Sequence, residues 1–188
     1  MKFYTKLQDW LAGPFSQKMQ KFMQNPYMHA LQVCFTIILP MIMVGSLASL
    51  VNTFRNFAPW LPDLSLINSF SFGLISIFMA FLIPYTIMES KKLQKQKMIT
   101  GFASVSALIA LANPQYVDGN LVINSGYVGT GGMTVAMVMG LVIGWLFSAY
   151  FKHGLFKKDS SLPSVVVVWF ESILIIFVLI LVCIIIGQ

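Results

Sequence analysis

Five long apolar runs divide the chain, at residues 28–51, 66–88, 98–112, 131–150 and 165–186. A helix rises 1.5 Å per residue, so about 20 apolar residues cross a hydrocarbon layer roughly 30 Å thick. Four of the runs meet that length. The third is short, yet if it did not cross, the lysine clusters at 91–97 and 152–158 would fall on opposite sides of a membrane, against the positive-inside rule. It is therefore read as a crossing helix whose first turn includes Lys95 to Lys97, their long stems snorkelling to the interface. The pattern predicts an all-α integral membrane protein of about five transmembrane helices over residues 28–188, with the N-terminus cytoplasmic and the C-terminus outside.

Residues 1–27 carry a different period. Phe3, Leu7, Trp10, Leu11, Phe15, Met19, Phe22 and Met23 recur at three- and four-residue steps, with Lys6, Gln17, Lys18 and Lys21 between them. This predicts an amphipathic helix, broken near Gly13-Pro14, lying on the anionic inner leaflet of the lipid bilayer. The alternative, the first helix of a soluble cap, has too little soluble sequence around it to cap. No apolar h-region followed by a cleavage site is present here, so no cleaved signal peptide is expected. Further along, "YVDGNLVI" sets Asp118-Gly119 between two β-type pairs and predicts a small external hairpin. The segment "NFAPWLPDL" reads as an interfacial loop or short re-entrant turn. Pro40 and Pro84, inside the first two runs, predict local kinks.

Composition removes the soluble alternatives. The chain is 57% hydrophobic and 10% charged, with a mean hydropathy of +0.80, whereas a soluble domain is about 25% charged. A net charge of +6 would suggest nucleic acid in a soluble protein. Here the basic residues form short clusters between apolar runs, eleven of the twelve on the predicted cytoplasmic side and only Arg55 opposite, which excludes a nucleic-acid face. Cys34 and Cys183 lie inside apolar runs without a CxxC or a neighbouring His, so neither a disulfide framework, a metal site nor a cofactor is implied.

Few residues suggest chemistry. Glu171 sits inside the fifth run, where an ionised carboxylate is costly and normally faces a bundle interior or a wet cavity. It is read either as a substrate-binding or proton site, or as a carboxyl bonded to a neighbouring helix. His29 and His153 flank the cytoplasmic ends of the first and fourth runs with no second catalytic group at a usable spacing. The glycine-rich "SGYVGTGG" does not satisfy GxGxxG and lacks the Lys-Ser/Thr of a phosphate-binding loop, so it reads as a flexible entry to the fourth run. Within that run Gly132, Ala136, Gly140, Gly144 and Ser148 fall four apart. Such a stripe allows close helix packing or oligomerisation, within the chain or with a dimer mate, ahead of a channel lining. Residues four apart advance about 40° beyond a full turn, so only Ala136, Gly140 and Gly144 are expected to share one groove.

The order of these pieces resembles a known family. "HALQVCFTIILPMIMVGSLASLV" is similar to the first span of the lactose/cellobiose/diacetylchitobiose family of phosphotransferase-system membrane subunits, enzyme IIC. The likeness continues through "IPYTIMESKKL", "GYVGTGGMTVAMVMG" and "FKHGLFKKDSSLPSVVVVWFES", and covers nearly all of the chain in order. Members of that family are about twice this length. Their N-terminal five-helix half builds much of the dimer contact, and their C-terminal half supplies most of the sugar site and of the phosphoryl chemistry. The chain departs from the family pattern at Gln32-Val33, where an Arg-Asp pair is common, at Val168, where a Lys is usual, and at Glu171, where a small residue is usual.

The resemblance implies a permease subunit of the bacterial cytoplasmic membrane with no catalytic residue of its own. It would form a homodimer, serving oligosaccharide transport with soluble IIA and IIB phosphocarriers or with a separate membrane chain carrying the sugar site. The competing reading is a non-transporting membrane scaffold, sensor or immunity-like protein derived from a truncated permease. A third, a small channel or proton-coupled carrier built on Glu171, is weaker because a lone carboxylate makes a poor relay.

Overall fold

The computed structural model describes residues 16–153 and 164–187, and these are mostly helical. Helix α1 (Ser16–Met23) leads through a turn into α2 (Pro26–Arg55). Asn25 starts α2: its side-chain oxygen accepts the Tyr27 N–H at 3.1 Å, and Pro26 takes a first-turn position where a missing N–H costs nothing. Of the amphipathic segment, residues 1–15 lie outside the described residues. In α1, Met19, Lys21, Phe22 and Met23 are all exposed.

The second apolar run is two helices, α3 (Ser65–Ser71) and α4 (Ile75–Ser90), where the sequence predicted one. Gly73 marks the break. A methyl group there would collide with the Ser69 carbonyl oxygen, so only glycine lets the backbone close this tightly. Neither proline interrupts its helix: α2 continues past Pro40 and α4 past Pro84. Helix α5 (Lys97–Leu111) has 15 residues and so spans only about 22 Å.

Strands β1 (Gln115–Val117) and β2 (Asn120–Val122) pair antiparallel, Tyr116 opposite Leu121. Asp118 and Gly119 both take positive φ, 51° and 80°, the left-handed pair that a two-residue hairpin turn requires. After β2 come the short α6 (Ser125–Val128), a 3-10 turn (Thr130–Gly132), α7 (Met133–His153) and α8 (Ser164–Gly187). Among the described residues three stretches are long and apolar enough to cross a membrane: Pro26–Arg55, Ser65–Ser90 and Thr130–Lys152.

Contacts at the helix ends fix the direction of each helix. Tyr27, at the start of α2, meets Lys91, just past the end of α4, while Ser49 and Gly45 near the other end of α2 meet Asn68 and Phe72. Thus α2 and α4 are antiparallel. Phe81 of α4 packs on Gly101 and Phe102 of α5, which runs back again. Helix α7 then lies parallel to α4, from Gly132 beside Ser76 to Ser148 beside Lys91. Ile175, midway along α8, joins α7's Phe147 near the end of α7 in a buried cluster, and Ile186 near the end of α8 lines a groove with Thr134 at the start of α7, so α8 reverses once more.

Helix α4 is the hub. It packs on α2, α5 and α7, and Ile75, Met79, Ala80, Ile83 and Ile87 are buried along it. Helix α8 packs on α5, and α2 lies at the opposite edge with α3 and α4 as its main neighbours.

Candidate functional site: the α4–α7 seam and its lysine cap

All five small residues of α7's stripe are buried. Ala136, Gly140 and Gly144, the three expected to share one groove, pack on α4, while Gly132 lies beside Ser76 near the start of α4 and Ser148 is held by Lys91 just past its end. A methyl group on Gly140 would stand 3.1 Å from Ile83 Cβ and 3.3 Å from Pro84 Cδ. On Gly144 it would stand 2.5 Å from Ile87 Cδ1 and 3.3 Å from the Pro84 Cα. Pro84 adds to the fit, because its ring presents carbon where a normal residue presents an N–H. The stripe is thus filled by a helix of the same chain.

At the hairpin end, "SGYVGTGG" is a tight spiral of α6 and the 3-10 turn, not a loose entry. A Cβ on Gly132 would overlap the Tyr127 carbonyl oxygen, and one on Gly131 would lie 2.8 Å from the Gly126 oxygen. The buried Ser76 hydroxyl donates to the Gly129 carbonyl and ties the spiral to α4.

At the basic end, Lys91 closes the seam. Its Nζ donates to Tyr27 Oη and to Ser148 Oγ, each at 2.7 Å, joining the start of α2 and the ends of α4 and α7. The Ser148 hydroxyl in turn donates to the Trp145 carbonyl at 2.8 Å. Nζ lies 4.6 Å from the Tyr27 ring centre, nearer the hydroxyl rim than the face, so the hydrogen bond is the stronger contact. Sequence reading placed Lys91 in a solvated loop cluster. The available signal was Tyr27 and Ser148, polar groups at the ends of two apolar runs. Nearby, Lys97 pairs with Glu89 at 2.7 Å and lies 4.7 Å from the Tyr85 ring centre. It packs along α4, where the sequence predicted a snorkelling stem.

The opposite end is held by other polar contacts. Arg55 pairs with Asp63 at 2.7 Å, Asn52 accepts the Leu64 N–H, and Asn68 donates to Ser49. Hydrogen bonds from Ser65, side chain and then backbone, hold the Asp63 carboxyl below its ordinary range, with Arg55 adding a smaller share. A polar pocket of about 440 Å³ lies between the end of α5, the hairpin and α6, with Asn113, Gln115, Asn124 and Tyr127 in its wall.

His29 is exposed in the first turn of α2. The side chains of Glu171 and His153 lie outside the described residues, as does the basic loop with Lys157 and Lys158. No group of three or more His, Cys, Asp or Glu able to hold a metal ion occurs among the described residues.

This arrangement defines a helical protein with several apolar helices compatible with a membrane. Comparison with known proteins gives no match among family models, curated proteins or solved structures.

Proposed function

We propose that this chain is the scaffold half of an oligosaccharide-type phosphotransferase permease: a five-crossing subunit of the bacterial cytoplasmic membrane, basic end inside and C-terminus outside. One observation carries the reading. The two stretches that hold much of the family likeness, "IPYTIMESKKL" and "GYVGTGGMTVAMVMG", are the two that pack on each other, Ile83 and Pro84 against Gly140. Together they form one unit. The topology has separate support in the alternating helices, which bring Lys91, Lys92, Lys95, Lys97 and Lys152 to one end and Arg55 to the other.

A scaffold role fits the interior. Buried Ser76 and Thr86 give their hydroxyls to backbone carbonyls, as does Thr100, and the groove between α7 and α8 is lined almost wholly by apolar side chains. The same interior favours the second reading, a non-transporting membrane scaffold, sensor or immunity-like protein, which needs no solute path.

The test is phosphoenolpyruvate-dependent disaccharide uptake by the purified chain in vesicles, alone and with any membrane chain that co-purifies. The scaffold reading expects uptake only in the second case. Uptake by the lone chain sinks it. Failure of uptake and of sugar binding in both cases favours the non-transporting protein.

A further inference from the structure

The exposed side of α2 differs from the other outward faces. Gln32, Thr36, Leu39, Met43, Ser46, Leu50 and Thr53 follow one another at alternating steps of four and three residues, and every one is exposed. Leu39, Met43 and Leu50 show 53%, 64% and 53% of their surface, so no part of this chain's described residues covers the row. That spacing is the 3.5-residue repeat that keeps one helix face against another in a left-handed pair.

Four of the seven positions are polar. By contrast, the outward positions in the middle of α7 (Val138, Val142, Trp145) and along α8 (Ile173, Phe177, Leu181, Ile184) are apolar throughout. A face meant for lipid tails gains nothing from a primary amide. The hydroxyls of Thr36, Ser46 and Thr53 donate to the carbonyls four residues back, at 2.8 to 2.9 Å, leaving oxygen lone pairs free to accept. The Gln32 amide, with two donors and an acceptor, makes no hydrogen bond among the described residues.

We infer that this row is the contact between two copies of the chain. Copies inserted under one charge rule share one orientation, so two α2 helices meet in parallel about a two-fold axis along the membrane normal. Each residue of the row then faces its own counterpart. A glutamine amide is self-complementary in that setting: each N–H donates to the other's carbonyl oxygen. Leu39, Met43 and Leu50 fill the layers between the polar ones. In lipid no hydrophobic force gathers helices, so polar side chains and close packing supply the attraction. The inference rests on the membrane orientation proposed above and not on the sugar chemistry.

Cysteine cross-linking in native membranes tests it, in the full chain carrying Cys34→Ser and Cys183→Ser. Leu39→Cys and Leu50→Cys should give disulfide-linked dimers under mild oxidation, and Phe177→Cys, on the outer face of α8, should not. Equal cross-linking at all three, or none at the α2 positions, overturns the proposal. In a reversible dimerisation assay in detergent, Gln32→Leu should weaken association about 3- to 30-fold, the share of one interhelical hydrogen bond. Gln32→Asn should retain most of the association; an unchanged dimer in Gln32→Leu rules out the amide contact. These readouts are independent of transport. A dimer linked through α2 with no uptake even beside a co-purifying membrane chain retires the permease reading alone, and uptake in that combination by a chain that never links through α2 retires this one alone.

Discussion

The two faces of α7 show what holds this bundle together. Toward α4, α7 and the 3-10 turn before it present Gly132, Ala136, Gly140, Gly144 and Ser148, and at Gly144 a methyl group would stand 3.3 Å from the Pro84 Cα and push the tip of Ile87 aside. Toward α8 it presents Val135, Val138, Val142 and Leu146, and there a groove of about 590 Å³ stays open above the cluster of Phe147, Ile143 and Ile175. Both faces are apolar. In an apolar solvent burying more hydrocarbon brings no gain by itself, so the side that permits close approach and ends in hydrogen bonds becomes the fixed one. The bulky side leaves space that lipid chains can fill.

That contrast breaks most readily at Gly132. Gly132→Ala sets a methyl group against the Tyr127 carbonyl, a backbone atom that cannot rotate away, and should cost about 3 kcal/mol or more. It should show as a large fall in thermal midpoint in detergent, or in failure to accumulate. Gly144→Leu should follow closely, because Ile87 can shift but the Pro84 backbone behind it cannot. Gly140→Ala, with its neighbours at 3.1 to 3.3 Å, should cost nearer 1 kcal/mol. On the other face, Val138→Leu should change stability by no more than about 0.5 kcal/mol. Equal losses on the two faces would mean that α8 is held as tightly as α4.

The lysine cap falls between Gly144 and Gly140 in size. Lys91→Met keeps the stem but removes two charged hydrogen bonds, and should cost about 1.5–3 kcal/mol. If the cap belongs to the tight face, the loss in Lys91→Met combined with Ser148→Ala should be smaller than the sum of the single losses. Additive losses would separate the cap from the seam.

The smallest effect belongs to Asp63, outside the helices. Its folded pKa is lowered, so its contribution is present above the unfolded value of about 4 and fades as pH falls through the folded value. The residue is exposed and salt screens it. A thermal midpoint followed below pH 4 should decline slightly less in Asp63→Asn than in the parent, and the difference should shrink in high salt.

How much of this was legible beforehand varies with the residue. The stripe could be read because its spacing is local, and so could the left-handed demand at Asp118-Gly119. The break at Gly73 could not, because apolar residues stand on both sides of it and the cause is a backbone contact with Ser69. Lys91 was misread for a related reason. Its partners lie 64 and 57 positions away, and a local charge count sees only a loop. The α2 row is legible as a period once exposure is known, since the sequence alone cannot say which side of an apolar helix is uncovered.

Composition and periodicity by themselves determined the helical class, the apolar runs, the clustering of basic residues and the presence of one face able to accept close packing. Each follows from a cost local to the chain, whether that of opening hydrogen bonds in hydrocarbon, burying charge or crowding a Cβ. Only the tertiary structure decided that α4 fills that face along its whole length, that α8 does not, and that α2 keeps a polar row uncovered. Those outcomes depend on which helices compete for the same neighbour. Contact energy between distant segments settles that competition, and no window along the sequence contains both sides of it.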